Sequence, residues 1–509
     1  MKNKQIVVID FGGQYAHLIS RRFRQLGFPT SVIPFNKLYT IKKEGIGGAV
    51  LSGGPASVYD KGSPKLDFNV LNGLPILGIC YGLQLIATHY GGKVKRGRKR
   101  EYGRAKLKIL AESDDLLKDL PREFFVWMSH TDEVTELPKG FEVLARTDNS
   151  PYAVIKRGKI YGLQFHPEVS HTENGLKILE NFAKRICEVK PSINLMNKAE
   201  EIIEQIRKAV GKERVICAVS GGIDSTLVAY LLWKAIGKQA TFVFVDHGLL
   251  RKGEAEAVLD LFDKLGIRNL VFIKAADRFL KKLKGVEDPE KKRKIIGDEF
   301  VKIFEEVAEK RGPFEWLAQG TLYPDVIESG KSSGPATLIK THHNVGGLPT
   351  KLNFKLLEPL RDLYKDEVRK MASQLNLPRE LIEKHPFPGP GLAVRIIGEV
   401  TREKLKICRE ASYIVEDVLK KHELYDKVWQ AFAIVGDDKA TGVKGDKRAY
   451  GYIVTVRIVT SEDAMTADWA KIPYEVLDEI SRRIINEIPQ VTWVTYAITS
   501  KPPSTIEPQ

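Results

Sequence analysis

The sequence predicts an α/β chain: two open parallel-sheet α/β domains followed by a smaller α+β domain. Three observations carry that expectation. Short β-branched apolar runs alternate with helical stretches over residues 1–192 and again over 193–385, the pattern of parallel strands joined by crossover helices. Several of these runs end in glycine-rich turns that open a helix, which is where open α/β sheets bind ligands. Pro386, Pro388, Pro390, Gly389 and Gly391 then break regular structure, and residues 386–509 form a third segment. A length of 509 residues accommodates roughly three ordinary domains, and a 43% hydrophobic composition supports packed cores.

In the first segment residues 5–10 read as a buried strand, followed by Gly12-Gly13 and a helix to Leu26. Further strands are expected at 30–35, 48–51, 75–80 and 160–165. Three motifs fall at the carboxyl ends of these strands. In Gly78-Ile79-Cys80-Tyr81-Gly82 the flanking glycines permit the sharp turn that lifts a nucleophile off a sheet, as in a Gly-x-Ser-x-Gly elbow. Cys80 would then stand at a helix N-terminus, where a thiolate is stabilised, although a lone cysteine is more often buried and inert. Ser52-Gly53-Gly54-Pro55 offers glycine N–H groups to an oxyanion; alone it is only a turn. Gln164-Phe165-His166-Pro167-Glu168 closes a strand, with His166 suited to take a proton from Cys80 and Glu168 to orient the imidazole. Each piece has an ordinary structural explanation; the three together are far more specific.

The second segment begins with a helical stretch at 199–210. A strand at 214–219 then feeds Ser220-Gly221-Gly222-Ile223-Asp224-Ser225-Thr226, and a helix follows to Ile236. A Gly-Ser loop between strand and helix is an anion site, because backbone N–H groups and the helix dipole face the ligand. The loop has neither lysine nor the Walker A spacing. A pyrophosphate held by N–H groups and hydroxyls therefore fits better than a γ-phosphate gripped by lysine. Asp224 would repel phosphate unless Mg²⁺ or a local N–H bond offsets it. A plain polar turn has the same local signature. Strands at 240–245 and 270–274, and one ending near 317–321, continue the sheet. Residues 281–300, basic and interrupted by Gly285, Pro289 and Gly297, predict a mobile lid; a charged helix after a loop is the alternative.

In the third segment strands at 428–435, 450–460 and 491–499 and helices at 402–420 and 474–488 predict a small three-stranded sheet with helices on one side. Its open face could pair with a second copy. The proline-rich tail from Lys501 reads, by itself, as a frayed end.

The net charge of +15 suits either a polyanionic partner or a heat-adapted enzyme rich in both signs of charge, since charged residues make up 28%. The densest basic runs, 93–104 and 281–294, carry no aromatics at base-stacking spacing. The first is expected as a solvated hairpin and the second as a nucleotide-facing loop, with no nucleic-acid partner. Cys80, Cys187, Cys217 and Cys408 form no CxxC pair, so neither zinc nor a disulfide framework is indicated. No apolar run is long enough for a signal peptide or a membrane span, so a cytoplasmic location without membrane contact is expected.

Three sets of motifs resemble known families. Gly-Gly-Pro at 53–55, GICYGLQ at 78–84, MSHTDEV at 128–134 and His-Pro-Glu at 166–168 resemble the class I glutamine amidotransferases. That resemblance implies Cys80 as nucleophile, His166 as general base and acid, and Glu168 as orienter. It implies Gly54 and the Tyr81 N–H as the oxyanion hole, and Gln84, Ser129 and His130 beside the substrate amide. Thr131 stands where that family usually has glycine. The loop Ser220, Gly221, Gly222, Ile223, Asp224, Ser225, Thr226 is similar to the SGGxDS motif of the PP-loop ATP pyrophosphatases, which implies ATP binding there, with Mg²⁺ accompanying the nucleotide.

DHGLLRKGE at 246–254, KRKIIGDEF at 292–300, LAQGTLYPDVIES at 317–329, IKTHHNVGGLP at 339–349, HPFPGPGL at 385–392 and KPPSTIE at 501–507 closely resemble the GMP synthetase family, and the likeness covers essentially the whole chain. It implies an amidotransferase domain at 1–192, a PP-loop domain at 193–385 and a dimerisation and XMP-binding domain at 386–509. It implies a homodimer, XMP contacts from Arg293, Gln430, Asp446, Lys501 and Glu507, and Lys340 and His342 facing the reacting groups. The family usually ends Glu-Trp-Glu where this chain has Glu507-Pro508-Gln509. The implied reaction is XMP, ATP, glutamine and water giving GMP, AMP, pyrophosphate and glutamate, the last step of de novo GMP synthesis. Ammonia must cross between sites unprotonated, so the two sites are expected to close against each other when substrates bind. Two rivals remain at this stage. A ligase with another acceptor, such as an RNA-thiolating enzyme, should show catalytic cysteines in its PP-loop domain, whereas Cys217 lies within an expected buried strand. A non-enzymatic nucleic-acid binder should show steeply salt-dependent affinity.

Overall fold

The computed structural model describes residues 4–13, 15–40, 43–169, 171–323, 325, 354–461 and 466–509, with residues 40 and 97–101 as backbone alone. Lys340 and His342 lie outside the described residues. The chain divides into two compact units, Met1–Asn194 and Leu195–Gln509.

The first unit is built on one nine-stranded sheet. Its strands are β1 (Gln5–Asp10), β2 (Thr30–Pro34), β3 (Ile46–Leu51), β4 (Ile76–Ile79), β5 (Lys93–Ile109), β6 (Glu123–Glu136), β7 (Glu142–Arg146), β8 (Val154–Arg157) and β9 (Ile160–Leu163). They lie in the order β2-β1-β3-β4-β9-β8-β7-β5-β6. From β2 to β9 every pairing is parallel. β3 and β4 are buried along their whole length, as continuous apolar runs require when both faces are covered. The remaining strands are antiparallel; the hairpin expected over 93–104 is part of this wing, while β7 and β8 were not expected. The basic run at 93–104 is one strand of the long β5–β6 hairpin. Two of its charges meet partners in water, Lys93 with Glu136 at 2.8 Å and Arg104 with Glu173 at 2.9 Å.

Helix α1 (Ala16–Gln25) follows β1, α2 (Tyr81–His89) follows β4, and α3 (Gly175–Asn181) follows β9. The junction of β4 and α2 is tight because two glycines allow it. A Cβ at Gly82 would lie 2.4 Å from the Leu51 carbonyl oxygen of β3, and one at Gly78 would lie 2.6 Å from the Gly82 carbonyl oxygen. Backbone cannot yield as a flexible side chain can, so helix and sheet approach this closely only without side chains between them.

The second unit opens with α4 (Leu195–Val210), which packs on the PP-loop helix. Next come β10 (Val215–Val219), α5 (Ile223–Ile236), β11 (Ala240–Asp246), α6 (Glu254–Lys264), β12 (Leu270–Lys274), α7 (Ala276–Leu283), α8 (Pro289–Arg311), β13 (Trp316–Ala318) and β14 (Lys355–Leu357). The five strands form an all-parallel sheet in the order β12-β11-β10-β13-β14. The expected lid is instead core structure. Residues 289–311 form one 23-residue helix, started by Asp288, whose carboxylate accepts the Lys291 N–H at 2.8 Å. Ile296, Ile303 and Phe304 of that helix lie in the hydrophobic core. This is the alternative, a charged helix after a loop: Lys281 and Lys282 end α7, while Lys291 and Lys294 are exposed on the long helix, with Lys292 buried.

Helices α9 (Lys365–Gln374), α10 (Arg379–Ile382) and α11 (Arg402–Lys421) lead to β15 (Gln430–Lys444), β16 (Lys447–Thr460), β17 (Asp468–Trp469), α12 (Tyr474–Glu487) and β18 (Val491–Tyr496). This last sheet has four strands, not three; β17 is two residues long and leaves no periodic signal in the sequence. Ala433, Val435, Val454 and Val456 pack with Val415 of α11 and Ile480 of α12. The same core runs through Leu392, Ala393 and Ile396 to Ile216 and Val243 of the parallel sheet, so the second and third sheets share an interior. The tail does not fray: Ile506 is buried with Phe432, Ile434 and Val459.

The tight elbow gives a stability prediction. Gly82→Ala should cost at least about 1–3 kcal/mol, the range for overpacking against structure that cannot relax. Calorimetry of the full chain should show a lowered unfolding transition for Gly82→Ala; an unchanged thermogram would refute the close approach.

Candidate active sites

Cys80 is the residue between β4 and α2, with φ 52° and ψ −100°. Such a backbone is rare for any residue but glycine and is maintained only where surroundings over-determine it. Here its N–H donates to the Leu163 carbonyl of β9 at 2.7 Å, and its carbonyl accepts the Gln84 N–H at 3.1 Å. The side chain is buried, with Sγ 3.8 Å from the Ser129 carbonyl oxygen. Tyr81, the first residue of α2, has no intrahelical partner for its N–H. Its ring abuts Gly54, where a Cβ would lie 3.3 Å away, and its hydroxyl donates to the Pro64 carbonyl at 2.7 Å.

His166 and Glu168 come from the segment after β9. His166 Nδ1 lies 2.7 Å from Glu168 Oε1, and both side chains are buried. Thr172 Oγ1 donates to the His166 carbonyl at 2.6 Å, Arg22 Nε donates to the Glu168 carbonyl at 2.8 Å, and the Tyr15 ring meets the imidazole edge-on at 5.2 Å. Cys80 lies close enough to His166 to bear on the charge of the imidazole. Gly53 sits against both: a Cβ there would lie 3.0 Å from His166 Cε1 and 3.9 Å from Cys80 Cβ. Cys80, His166, Glu168, Gly54 and Tyr81 are therefore together. Gln84 is close by on α2, its Nε2 donating to the Asp132 carbonyl at 2.9 Å. Ser129 and His130 lie on β6, and Ser129 reaches Cys80 through its backbone.

Burial alone would push the His166 pKa down. The Glu168 charge and hydrogen bond, together with the nearby Cys80, outweigh it and raise the imidazole to about 10. The protonated ring is thus the resting form, paired with Glu168 on one side and the sulfur on the other. The raised value means that the pair's contribution to stability is complete below pH 6.5 and fades as pH rises through about 10. Imidazole NMR should find His166 without a titration midpoint between pH 5 and 8, and Glu168→Gln should bring that midpoint down into this window. A midpoint near 6.5 in the unsubstituted protein would contradict the arrangement.

The second constellation is the loop after β10. Gly221 has φ +76°, and a Cβ there would lie 2.3 Å from Val258 Cγ2, so the turn needs glycine twice over. Ser225 Oγ accepts the Ser220 N–H at 3.1 Å and donates to the Gly222 carbonyl at 3.2 Å, closing the loop on itself. Helix α5 starts at Ile223, so the N–H groups of Ile223, Asp224 and Ser225 begin it without intrahelical partners. Ser220 is exposed, leaving the cradle open to solvent, while Thr226 is fully buried with no partner for Oγ1 among the described residues. Asp224 Oδ2 pairs with Lys365 at the start of α9, and its Oδ1 is buried without a partner among the described residues. Sequence reasoning missed Lys365. Nothing near the loop points to it, because it stands 141 positions away.

The residues implied for XMP divide into two groups. Gln430 Nε2 donates to Glu507 Oε1 at 2.8 Å and to the Pro386 carbonyl at 2.9 Å. Arg395, which sequence reasoning also missed and which lies just beyond the motif at 385–392, binds both oxygens of Glu507 at 2.9 and 3.0 Å. Arg293 Nη2 donates to the Gln509 carbonyl at 2.6 Å, beside Lys292, whose Nζ donates to the Ile396 carbonyl at 2.7 Å. Lys501 pairs through its backbone with Ala467. Asp446 stands apart, in the turn of the β15–β16 hairpin. Gln430 begins β15, so at about 3.3 Å per residue the two lie on the order of 40 Å apart along the strand.

Comparison with known proteins agrees with this anatomy. The family model for class-I glutamine amidotransferases matches residues 7–186, that for NAD synthase matches 195–295, and that for the GMP synthase C-terminal domain matches 417–508. A protein of Pyrobaculum aerophilum named GMP synthase [glutamine-hydrolyzing] is 53% identical over 507 residues, 99% of this chain and 100% of that one. An Aquifex aeolicus protein of the same name is 53% identical over 511 residues, covering 100% of both chains. A solved structure from Thermoplasma acidophilum, described as part of a putative GMP synthase, is 33% identical, covering 37% of this chain and 96% of that one with a TM-score of 0.34. Matched end to end by the Pyrobaculum and Aquifex proteins at such identity, the chain belongs to the glutamine-hydrolysing GMP synthase family.

Proposed function

We propose that this enzyme makes GMP by aminating XMP, with nitrogen taken from glutamine and ATP cleaved to AMP and pyrophosphate. The observation that carries the reading is the pairing, in one chain of this family, of a buried Cys80–His166–Glu168 relay with an open Ser220–Thr226 cradle.

In the first unit Cys80 Sγ, as the thiolate whose proton His166 has taken, attacks the amide carbon of glutamine. The proton held on His166 passes to the departing nitrogen, which leaves as ammonia, and water clears the thioester. The N–H groups of Gly54 and Tyr81 suit the developing oxyanion, and Gln84, Ser129 and His130 line the amide. In the second unit the oxygen on C2 of XMP attacks the α-phosphorus of ATP. Pyrophosphate departs, held by the N–H groups and hydroxyls of the loop. Ammonia then adds at C2 and AMP leaves. Adenylation is needed because the free oxygen is a poor leaving group.

Asp224 fits a role in holding Mg²⁺, since its Oδ1 is buried without a partner among the described residues. One carboxylate plus the nucleotide phosphates is an ordinary way to bind this ion. Bound there, Mg²⁺ would offset the phosphate charge that Asp224 otherwise repels.

Arg293, Gln430, Lys501 and Glu507 are assigned to XMP, supported by the convergence of three of them on the tail; Asp446 rests on family likeness alone. The same likeness supports three functional parts, 1–192, 193–385 and 386–509, and a cytoplasmic enzyme; no helix of the described residues is long and apolar enough to cross a membrane. Exposed Val443, Tyr450, Trp493 and Ile498 about the last sheet support a homodimer built there.

A coupled assay tests the division of labour. Cys80→Ala should abolish glutamine-dependent GMP formation while ammonia-dependent formation persists. Failure of the unsubstituted enzyme to make GMP from XMP, ATP and ammonia would refute the substrate assignment, and loss of both activities in a folded Cys80→Ala variant would refute the roles. Trp493→Glu should shift the mass seen by light scattering toward one chain; an unchanged mass would count against this dimer face.

A further inference from the structure

The tail of this protein is bound by more cations than anchoring it requires. Arg457 already anchors it, donating to the Thr499, Thr505 and Ile506 carbonyls and to Ser504 Oγ at 2.7–3.3 Å. Arg395 makes none of these backbone bonds. It is 1% exposed and binds only the Glu507 carboxylate, Nε to Oε2 and Nη2 to Oε1. A side-on bidentate pair sets both the place and the plane of a carboxylate, which a lysine cannot do. The guanidinium is itself confined, its Cζ 4.1 Å from the Phe432 ring centroid and 5.1 Å from that of Phe387.

The hydrogen-bond count at Glu507 is uneven. Oε1 accepts two bonds, from Arg395 Nη2 and Gln430 Nε2, whereas Oε2 accepts one, from Arg395 Nε. A carboxylate oxygen accepts two, so Oε2 keeps one acceptor position. Arg395 Nη1 is buried and has no partner among the described residues. An unsatisfied buried donor is costly in a purely structural pair and calls for an explanation. The open position at Glu507 Oε2 is an acceptor, which an N–H of a ligand can fill.

We propose that Arg395 is a positioning residue for XMP: it fixes the plane of Glu507 so that Oε2 presents its remaining acceptor position to one N–H of the purine base. The inference rests on the reading of Glu507 as an XMP contact. The base is recognised through a pre-aimed carboxylate, and the aiming is done by a side chain 112 positions earlier in the chain.

Steady-state kinetics with ammonia as nitrogen source tests this on the full-length enzyme, using Arg395→Lys, Glu507→Gln and the double variant. Arg395→Lys keeps the charge and loses the bidentate geometry. It should raise the XMP KM at least tenfold, with kcat changed less than threefold and the ATP KM within twofold. Glu507→Gln should do the same, and the double variant should be no worse than the more impaired single variant. An unchanged XMP KM in Arg395→Lys alongside a raised one in Glu507→Gln overturns the role of Arg395 alone, as would effects that multiply in the double variant. An unchanged XMP KM in Glu507→Gln overturns the assignment of Glu507 and this inference with it. If Arg395→Lys does not fold, Phe432→Leu decides: it should raise the XMP KM several-fold, and no further when added to Glu507→Gln. No rise overturns the proposal.

Discussion

A charge taken out of water must be given a counter-charge, and both reacting centres of this chain are laid out around that requirement. Glu168 is wholly buried and is tolerated because His166 carries a proton beside it. Arg395 is wholly buried and is tolerated because Glu507 grips two of its nitrogens. Removing one partner of such a pair leaves the other uncompensated, which costs more than the pair contributes when intact. Each pair therefore fixes the backbone on either side of it: the turn after β9 in the first unit, and the tail against residues 391–396 in the second.

The PP-loop answers the same requirement differently. Its anion is a substrate and not a side chain, so the cradle is left exposed and its serines bond to one another. Asp224 is the exception, half-satisfied by Lys365. The loop has no lysine of its own, but the fold brings one to its edge. Local sequence therefore understates the positive charge available to a polyphosphate at this place.

What could be read in advance follows from how far apart the cooperating residues lie. The elbow at Cys80 and the His166–Glu168 pair were legible because glycine spacing and a two-residue offset are local facts, and the PP-loop was legible as strand, loop and helix for the same reason. The parallel strands were legible because burial on both faces writes continuous apolar runs. Lys365 and Arg395 were not legible as site residues, since each acts across more than a hundred positions and neither stands out among 80 basic residues. The charged run at 93–104 was legible as a hairpin because it carries no apolar core face, whereas β7 and β8 are short strands of four to five residues that left no comparable signal. The supposed lid failed for a different reason: glycine, proline and lysine suggested motion, but Pro289 stands at the helix start where it is tolerated, and Ile296, Ile303 and Phe304 bind the helix into the interior.

The order in which these parts are made has a cellular consequence. The thiol relay is complete once the ribosome has passed the end of the first unit at Asn194, whereas Arg395 lacks its carboxylate partner until Glu507 emerges. A nonsense codon or a nick by a protease between them would leave a fragment with all the parts for releasing nitrogen and no acceptor to receive it.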